Sequence, residues 1–466
     1  MSQSQQTTSF TDQAGHSARQ NAGLLAAMPK TTTAGTRLVF TFLVLITIAA
    51  INFEAVFAVP IGFLRAGAKL KMSDFMGMIL SLLFLANCVY YMRIPKAYRY
   101  FLLCFAVLLI CSIIGPALFK GYMYVTAVWF FLSFTSSYAV YDFLNRQSSP
   151  FIIRFLNIYL GVATVIYIIA LIDYFALFFG IRFIPPDYDQ RLHQYVGGLP
   201  RFEGLSPLSL AFIPLGYFHF ALGILLKRQR ETLFFLMLML FSVSIGGMVA
   251  AVIAFSYYLF TRMSTRSKLI VLLPVVWFAF SIVSTLVEFK IQTAGKWSYG
   301  VRLELYLLTP TVVATDPLGM GFGQSRYVFY SAKRYDLKRF EDLYNKGVEE
   351  RTFVVESSHL EVIYEFGILG IIMILFYTLA VSKYGMMALR ENDRKLLIMV
   401  SVIIFFYIHA FFNPSYFYQA KFWTLNLICI LITERFSRFS KLQHESNSGA
   451  LIAPGQPAHE LKGVMQ

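Results

Sequence analysis

The chain has 466 residues, of which 57% are hydrophobic and only 14% are charged. Soluble domains contain about 25% charged residues, so this composition excludes an ordinary soluble fold and, for most of the chain, intrinsic disorder. The 40 lysines and arginines against 25 aspartates and glutamates give a net charge of +15, which in a soluble protein would suggest nucleic acid. Because much of this charge falls in short segments between apolar runs, we attribute it to membrane topology and expect no nucleic acid partner.

Apolar runs that can cross a bilayer recur along the chain. The run at 232–261 is too long for one ordinary span, and its middle, Ser242-Val-Ser-Ile-Gly-Gly247, contains small residues that weaken a helix. We therefore predict two short helices that meet at this break, and about twelve transmembrane helices in an all-α integral membrane protein. The runs lie near residues 38–60, 75–92, 100–119, 122–143, 155–180, 206–226, 232–261, 269–288, 359–382, 396–412 and 422–434.

Basic residues between the runs support this arrangement, because cytoplasmic loops are enriched in lysine and arginine. With both termini in the cytoplasm, only the outer loop with Arg65, Lys69 and Lys71 violates the rule. The cytoplasmic loops then contain Arg93, Lys96 and Arg99; Arg146 and Arg154; Lys227, Arg228 and Arg230; Arg262, Arg266 and Lys268; Lys383, Arg390, Arg394 and Lys395; and Arg435 and Arg438.

This topology divides the chain into three parts. Residues 1–36 are predicted to be a disordered cytoplasmic tail, because they are polar and lack the apolar core of a signal peptide. Residues 37–434 form a polytopic transmembrane domain, and residues 435–466 a cytoplasmic C-terminal tail. Two outer loops, 181–205 and 289–357, are too long to be simple connections, so we expect the chemistry there.

Near the end of the first outer loop, Arg201 lies just before a helix that is predicted to start near Ser206. An arginine at the membrane surface can bind a phosphate through two parallel hydrogen bonds; an arginine that only snorkels to the interface is the alternative. The same loop contains Asp187-Tyr-Asp189, a pattern that holds divalent metals in many glycosyltransferases. Such a short pattern arises easily by chance, and we predict no metal site.

The second outer loop opens with Arg302 at the head of an amphipathic segment. Gly319, Gly321 and Gly323 then form a flexible turn, which is not a nucleotide-binding fingerprint because no strand precedes it. The mixed charges of Lys333–Arg351 predict a solvated helix.

Ionisable residues cluster where this loop enters the next span. Glu356 and His359 are three residues apart and would share a helix face, so either could act as a general base. For His359 the alternative is an interfacial histidine that is bonded to the backbone. Glu361 and Glu365 lie deeper, and ionisable residues inside a span are costly and usually functional.

In order and topology, these segments resemble the bacterial O-antigen ligase and O-antigen polymerase superfamily of polytopic membrane glycosyltransferases over roughly residues 150–435. The shared features are an arginine before a helix in the shorter outer loop, a broken helix, an arginine followed by P-x-G-x-G, and a histidine-bearing segment before E-x-G-hydrophobic-x-G. Here they are Arg201-Phe-Glu-Gly-Leu-Ser-Pro207, Ser244-Ile-Gly-Gly247, Arg302 with Pro317-Leu-Gly-Met-Gly-Phe-Gly323, and Glu365-Phe-Gly-Ile-Leu-Gly370.

Two positions depart from the family pattern. The arginine of the family's broken helix is replaced around Ile245-Gly246. At the family's usual spacing from the closing glycines, this chain has Glu356 rather than His359. Both residues therefore stay candidates for the base, with a slight preference for His359.

The resemblance implies a glycan donor linked to undecaprenyl pyrophosphate, and an active site that faces the periplasm from the bacterial inner membrane. Arg201 and Arg302 would stabilise the leaving pyrophosphate without a metal or other cofactor, and His359 or Glu356 would accept the proton of the acceptor glycan. Further partners would be membrane lipids, a chain-length regulator and a flippase. The implied substrate-binding residues are Arg201, Arg302, Arg326, Tyr306 and Glu365.

Within the family, the departure from the ligase histidine pattern favours a polymerase of O-antigen or exopolysaccharide repeat units. A ligase that transfers the glycan to lipid A-core is the alternative. A flippase or other transporter of lipid-linked oligosaccharides would also have many spans, but transporters often show repeated halves, and we find no internal repeat.

Overall fold

In the computed structural model of this protein, the residues described are 34–53, 59–60, 69–70, 72–177, 179, 181, 195–196, 199–200, 202, 209–242, 244–261, 297–325, 327–328, 334–340, 344–345, 355, 357–413 and 416–447. The chain divides into two compact units, Met1–Leu45 and Ile46–Gln466. In the first unit the described residues belong to one helix, α1 (Ala34–Ala50). The predicted N-terminal tail lies outside the described residues up to residue 33.

The described chain is mainly α-helical. Two antiparallel pairs of two-residue strands accompany the helices: β1 (Val59–Pro60) with β2 (Lys69–Leu70), and β3 (Tyr195–Val196) with β4 (Leu199–Pro200). Single 3-10 turns occur at Ile51–Phe53, Leu337–Arg339 and Tyr416–Tyr418. The helices are α1 (Ala34–Ala50), α2 (Met72–Tyr90), α3 (Lys96–Ile114), α4 (Lys120–Asn145), α5 (Ser149–Leu177), α6 (Ser209–Leu225), α7 (Gln229–Phe241), α8 (Ile245–Phe260), α9 (Trp297–Thr315), α10 (Ser358–Glu391), α11 (Arg394–His409) and α12 (Ala420–Asn447).

Five helices in the described part of the chain, α2, α3, α4, α5 and α10, are long and apolar enough to cross a membrane. Shorter apolar stretches occupy α1, α6, α8 and α9. The prediction of a helical protein is thus confirmed, and these five helices have the length and composition that a membrane span needs. The number of twelve spans stays a prediction, and the run at 269–288 lies outside the described residues. Helix α12 continues past the predicted start of the C-terminal tail to Asn447.

Helix α11 lies at the centre of the packing. It contacts α6, α8, α10 and α12, while α4 packs against α2 and α12. Every residue from Leu396 to Ile403 is buried. A helix that is apolar around its whole circumference is expected in such a central position.

The predicted break in the run at 232–261 is confirmed, because α7 ends at Phe241 and α8 begins at Ile245. Small residues there permit close packing. A Cβ atom on Gly247 would lie 2.5 Å from Ile213 of α6, and one on Gly246 would lie 2.6 Å from Phe412. The glycines therefore bring the start of α8 against α6 and against the end of α11.

The prediction of a solvated helix over Lys333–Arg351 is wrong for residues 334–340, which form a turn and a short 3-10 turn. Asp336 has a left-handed φ of +51°, which an α-helix cannot continue through. Tyr335 and Leu337 alternate with charged residues and are buried in an apolar cluster with residues of α9 and α10. Because the residues alternate, the apolar side chains of residues 334–340 point inward, and this non-helical segment, which we call the irregular cover, packs on α9 and α10.

Candidate functional site

The segment between α11 and α12, residues 410–418, contacts the starts and breaks of several other helices; we call it the junction. The Ser358 amide donates hydrogen bonds to the carbonyls of Ala410 (2.9 Å) and Asn413 (3.0 Å). The Ser358 hydroxyl donates to the Asn413 carbonyl at 2.5 Å. The first turn of α10 is therefore fixed to the junction through backbone groups that helix ends leave unpaired.

His359 lies in this first turn and is only 2% exposed. Its Nε2 atom is 3.0 Å from the carbonyl oxygen of Tyr407, and since a carbonyl can only accept, Nε2 carries a hydrogen. In the neutral ring, Nδ1 then has a lone pair, and this atom has no hydrogen-bond partner among the described residues. The backbone contact of an interfacial histidine is thus present, and a second nitrogen is left that can accept a proton.

Aromatic rings surround His359. The ring centroids of Phe411, Tyr407 and Phe417 lie 4.2, 5.2 and 6.2 Å from that of His359. Phe411 and Phe417 belong to the junction. The imidazole is therefore oriented by packing as well as by the Tyr407 carbonyl.

The break between α7 and α8 lies next to the junction, through the contact of Gly246 with Phe412. The carbonyl of Phe241, at the end of α7, accepts a hydrogen bond of 3.1 Å from the amide of Phe202. Phe202 is buried and packs on Tyr174 and Phe212. The residue that follows Arg201 in the chain is therefore fixed to the broken helix.

Helix α9 packs against the start of α10. The Tyr364 hydroxyl donates to the Leu305 carbonyl at 2.6 Å, and the Tyr306 hydroxyl lies 3.4 Å from the Ser357 hydroxyl, a long contact. Tyr306 is partly exposed. Arg302 belongs to the same helix, one turn before Tyr306. The helix that carries Arg302 is therefore fixed beside the residues that precede His359.

Residues 317–323, which we call the glycine loop, pack on a break within α10. Gly367 has φ +56° and ψ −126°, and the freed Ile368 amide donates to the Pro317 carbonyl at 2.9 Å. A Cβ atom on Gly367 would lie 2.1 Å from the Pro317 oxygen, and one on Gly319 would lie 2.3 Å from the Glu365 oxygen. The two glycine motifs that the sequence shows separately thus form one packed unit.

Glu365 lies under this unit and is fully buried. One carboxylate oxygen accepts from the Ser325 hydroxyl at 2.7 Å, and the other accepts from the Tyr418 hydroxyl. Glu361, one turn earlier, is buried as well. Both oxygens of Glu365 are therefore engaged by the protein itself.

Asp316 anchors the other end of the glycine loop. Its buried carboxylate accepts hydrogen bonds from Arg334, which is half-exposed, and from the Tyr335 hydroxyl at 2.5 Å. Burial, followed by the contact with Asp316, raises the pKa of Tyr335 well above its usual range. The phenol therefore stays protonated and donates to the carboxylate, which fixes the irregular cover to the loop.

Several predicted site residues lie outside the described part of the chain: Arg201, Arg326 and Glu356, together with Asp187 and Asp189. For Arg302 only the position in α9 is described. Among the described residues, no three His, Cys, Asp or Glu side chains lie close enough to hold a metal ion. The structure thus places Tyr306 near Ser357, two residues before His359, and bonds Glu365 to Tyr418 of the junction. The roles of the arginines stay predictions.

Three further parts of this region, Ser325, Tyr418 and the junction, are not predicted from the sequence. The one signal in the sequence is an aromatic run, Phe411-Phe-Asn-Pro-Ser-Tyr-Phe-Tyr418, in which Asn and Pro interrupt the apolar pattern. From the sequence alone, this run is predicted only to end one span and to precede the next. Its role depends on contacts with residues far away in the chain, which spacing alone does not reveal.

The chain matches none of the known protein-family models, and no curated protein is significantly similar to it.

Proposed function

We propose that this protein is a metal-independent membrane glycosyltransferase. It polymerises undecaprenyl-pyrophosphate-linked oligosaccharide repeat units into O-antigen or exopolysaccharide at the periplasmic face of the bacterial inner membrane. The main support for this proposal is that several elements with predicted functional residues meet at the junction and at the start of α10. The helix of Arg302, the break that fixes Phe202, and His359 all meet there, as do the glycine loop and Glu365 next to Tyr418.

The reaction that this arrangement supports is the displacement of a lipid pyrophosphate by a sugar hydroxyl. Nδ1 of His359 accepts the hydroxyl proton while the acceptor oxygen forms a bond to the anomeric carbon of the donor. The bond between that carbon and the pyrophosphate oxygen breaks, and undecaprenyl pyrophosphate leaves with the electron pair. Arg201 and Arg302 would stabilise its growing negative charge. The imidazolium then releases its proton to solvent.

The proposed topology has twelve spans with both termini in the cytoplasm, so that α10 begins at the periplasmic side. Helices such as α2 and α3 expose apolar side chains, among them Leu82, Val89, Leu103 and Ile110. Contiguous exposed apolar surface of this kind is expected to face lipid. The undecaprenyl chain of the donor would stay in this lipid phase while its pyrophosphate reaches the junction.

Deletion of the gene in its native bacterium, followed by gel analysis of glycolipids and mass analysis of the lipid-linked fraction, tests the proposal. For an O-antigen polymerase, lipid A-core carries a single repeat unit and long chains are lost. For an exopolysaccharide polymerase, lipopolysaccharide is unchanged and a secreted polysaccharide is lost. Wild-type protein must restore the polymer, and His359→Phe must not.

Two other outcomes would overturn the proposal. Long chains that persist on undecaprenyl pyrophosphate, with bare lipid A-core, would identify a ligase. Single repeat units that accumulate on the cytoplasmic side would identify a flippase. Transfer by the purified protein should also survive EDTA; loss of activity that a divalent metal restores would instead support metal binding by Asp187 and Asp189.

A further inference from the structure

Glu365 joins three segments that are far apart in the sequence. Ser325 follows the glycine loop, Glu365 precedes the break in α10, and Tyr418 ends the junction. The amide of Gly321 also donates to the Glu365 carbonyl at 2.8 Å. Both the side chain and the backbone of Glu365 therefore fix the glycine loop.

Tyr418 is itself firmly placed. Its carbonyl accepts a hydrogen bond of 3.1 Å from Ser133 of α4. The preceding residue, Phe417, packs against the His359 ring, and its carbonyl accepts a hydrogen bond of 2.8 Å from the indole of Trp423. The Glu365 carboxylate thus connects the glycine loop with the junction residues that pack on His359.

We infer that Glu365 is a positioning residue whose carboxylate, through Ser325 and Tyr418, holds the glycine loop in register with His359. Glu365 does not itself contact substrate, because each of its carboxylate oxygens already accepts a hydrogen bond from the protein. This inference deepens the proposed function and rests on it. It replaces a substrate-binding role for Glu365 by a structural one at the same site.

Replacement of the carboxylate by an amide separates the two roles. In Glu365→Gln the amide oxygen can accept from Tyr418 while the amide nitrogen donates to the Ser325 hydroxyl, which can also act as an acceptor. A positioning role therefore survives this substitution. A role in which the carboxylate charge or its proton acts on the substrate does not survive it.

The experiment uses the full chain in lipid nanodiscs. The probe is undecaprenyl-pyrophosphate-linked repeat units extracted from the deletion strain, and kcat and KM are measured separately. We expect Glu365→Gln to keep kcat within about 5-fold of the wild type, and Glu365→Ala to lose about 100-fold. Tyr418→Phe should lower kcat about 10-fold with KM unchanged, and its effect should disappear in the Glu365→Ala background.

Tyr98→Phe is the matched control. Tyr98 is also a buried tyrosine, and its hydroxyl lies 2.7 Å from that of Thr135 in the contact between α3 and α4. It should leave kcat unchanged. If Glu365→Gln lowers kcat about 100-fold relative to the wild type, or if Tyr418→Phe has the same kcat as Tyr98→Phe, the positioning role is wrong. Should Glu365→Ala fail to fold, the other two variants still decide.

His359→Phe separates this inference from the proposed function. If His359→Phe keeps full activity, the proposed mechanism fails whatever the Glu365 variants do. If His359→Phe is inactive and Glu365→Gln is inactive too, the mechanism stands and only the positioning role is overturned.

Discussion

Two buried histidines of this protein occupy very different surroundings. His219 lies within α6, its Nε2 atom is 2.8 Å from the Tyr159 hydroxyl of α5, and its ring stacks on Phe235 of α7. Its Nδ1 atom has no hydrogen bond among the described residues. His359 instead begins a helix, and a backbone carbonyl from another helix orients it.

The difference shows how continuous and interrupted helices use polar groups. Within a helix the backbone groups are already paired, so the cluster around His219 is built from side chains, those of Tyr159 and Tyr167 and that of Asn52 in the 3-10 turn after α1. Helix ends and breaks leave carbonyls and amides free, and around the junction these groups orient side chains instead. A cluster closed among helices holds the bundle together, whereas one built at helix ends can present a reactive atom.

The same substitution at both histidines tests this contrast most strongly. Phenylalanine preserves the aromatic packing at each site but removes both nitrogens. We expect His359→Phe to reduce transfer about 100-fold or more, because a general base typically contributes that factor. His219→Phe should lower the midpoint of thermal unfolding and leave transfer within about 3-fold of the wild type.

The measurements are initial transfer rates and thermal unfolding of both variants in the same nanodiscs. Equal losses of activity in the two variants would show that the junction is not chemically special. Loss of activity in His219→Phe alone would indicate that the active site lies at His219, within the helix bundle.

A second comparison concerns charged side chains: the predicted pyrophosphate-binding arginines and an arginine away from the junction. Arg302→Ala and Arg201→Ala should each lower kcat about 100-fold, since each would remove a donor that stabilises the leaving pyrophosphate. Lysine should restore only part of the rate, because a point charge cannot reproduce the planar guanidinium. Arg146→Ala is the control: it removes a partly exposed arginine, directly after the last residue of α4, that pairs with Asp142 at 2.6 Å.

Arg146→Ala should leave kcat unchanged, since exposed ion pairs contribute little stability. Chemical labelling of the inserted protein would verify that every variant spans the membrane as the wild type does. Near-normal rates in both alanine variants at 201 and 302 would eliminate the pyrophosphate role of the arginines.

Glycine substitutions compare an interrupted helix with a continuous one. Gly367→Ala should destabilise the protein by about 3 kcal/mol, because a left-handed residue is strained and the new Cβ would lie 2.1 Å from the Pro317 oxygen. Gly121→Ala, near the start of α4, places its Cβ where no atom lies within 4 Å. It should be neutral or stabilise by about 0.5 kcal/mol.

Thermal unfolding in detergent would compare the two alanine variants. A Gly367→Ala variant as stable as Gly121→Ala would mean that α10 can straighten at this residue, and that the glycine loop does not depend on the break.

The sequence predicts the helices and one break well, because these depend on local properties. Apolar runs and paired small residues at Gly246 and Gly247 are sufficient to place α6, α7 and α8. The contact of the glycine loop with Gly367 is not predictable in this way, because it joins residues about 50 positions apart that share no periodicity. Tyr335 and Leu337 were assigned to a solvated helix for a similar reason: their charged neighbours are local, whereas their apolar partners are distant.

Tyr159→Phe, which removes a single hydroxyl group from the His219 cluster, should have the smallest effect. The Tyr159 hydroxyl lies 2.8 Å from His219 Nε2 and 3.3 Å from the Asn52 amide nitrogen, and the residue is fully buried. Its removal leaves the His219 nitrogen without this partner, which costs on the order of 1 kcal/mol. Tyr124→Phe, at a tyrosine that is 46% exposed, should cost nothing measurable. If Tyr159→Phe abolished transfer without altering thermal unfolding, the His219 cluster would take part in the reaction. A polar cluster enclosed within the helix bundle would then not be confined to a structural role.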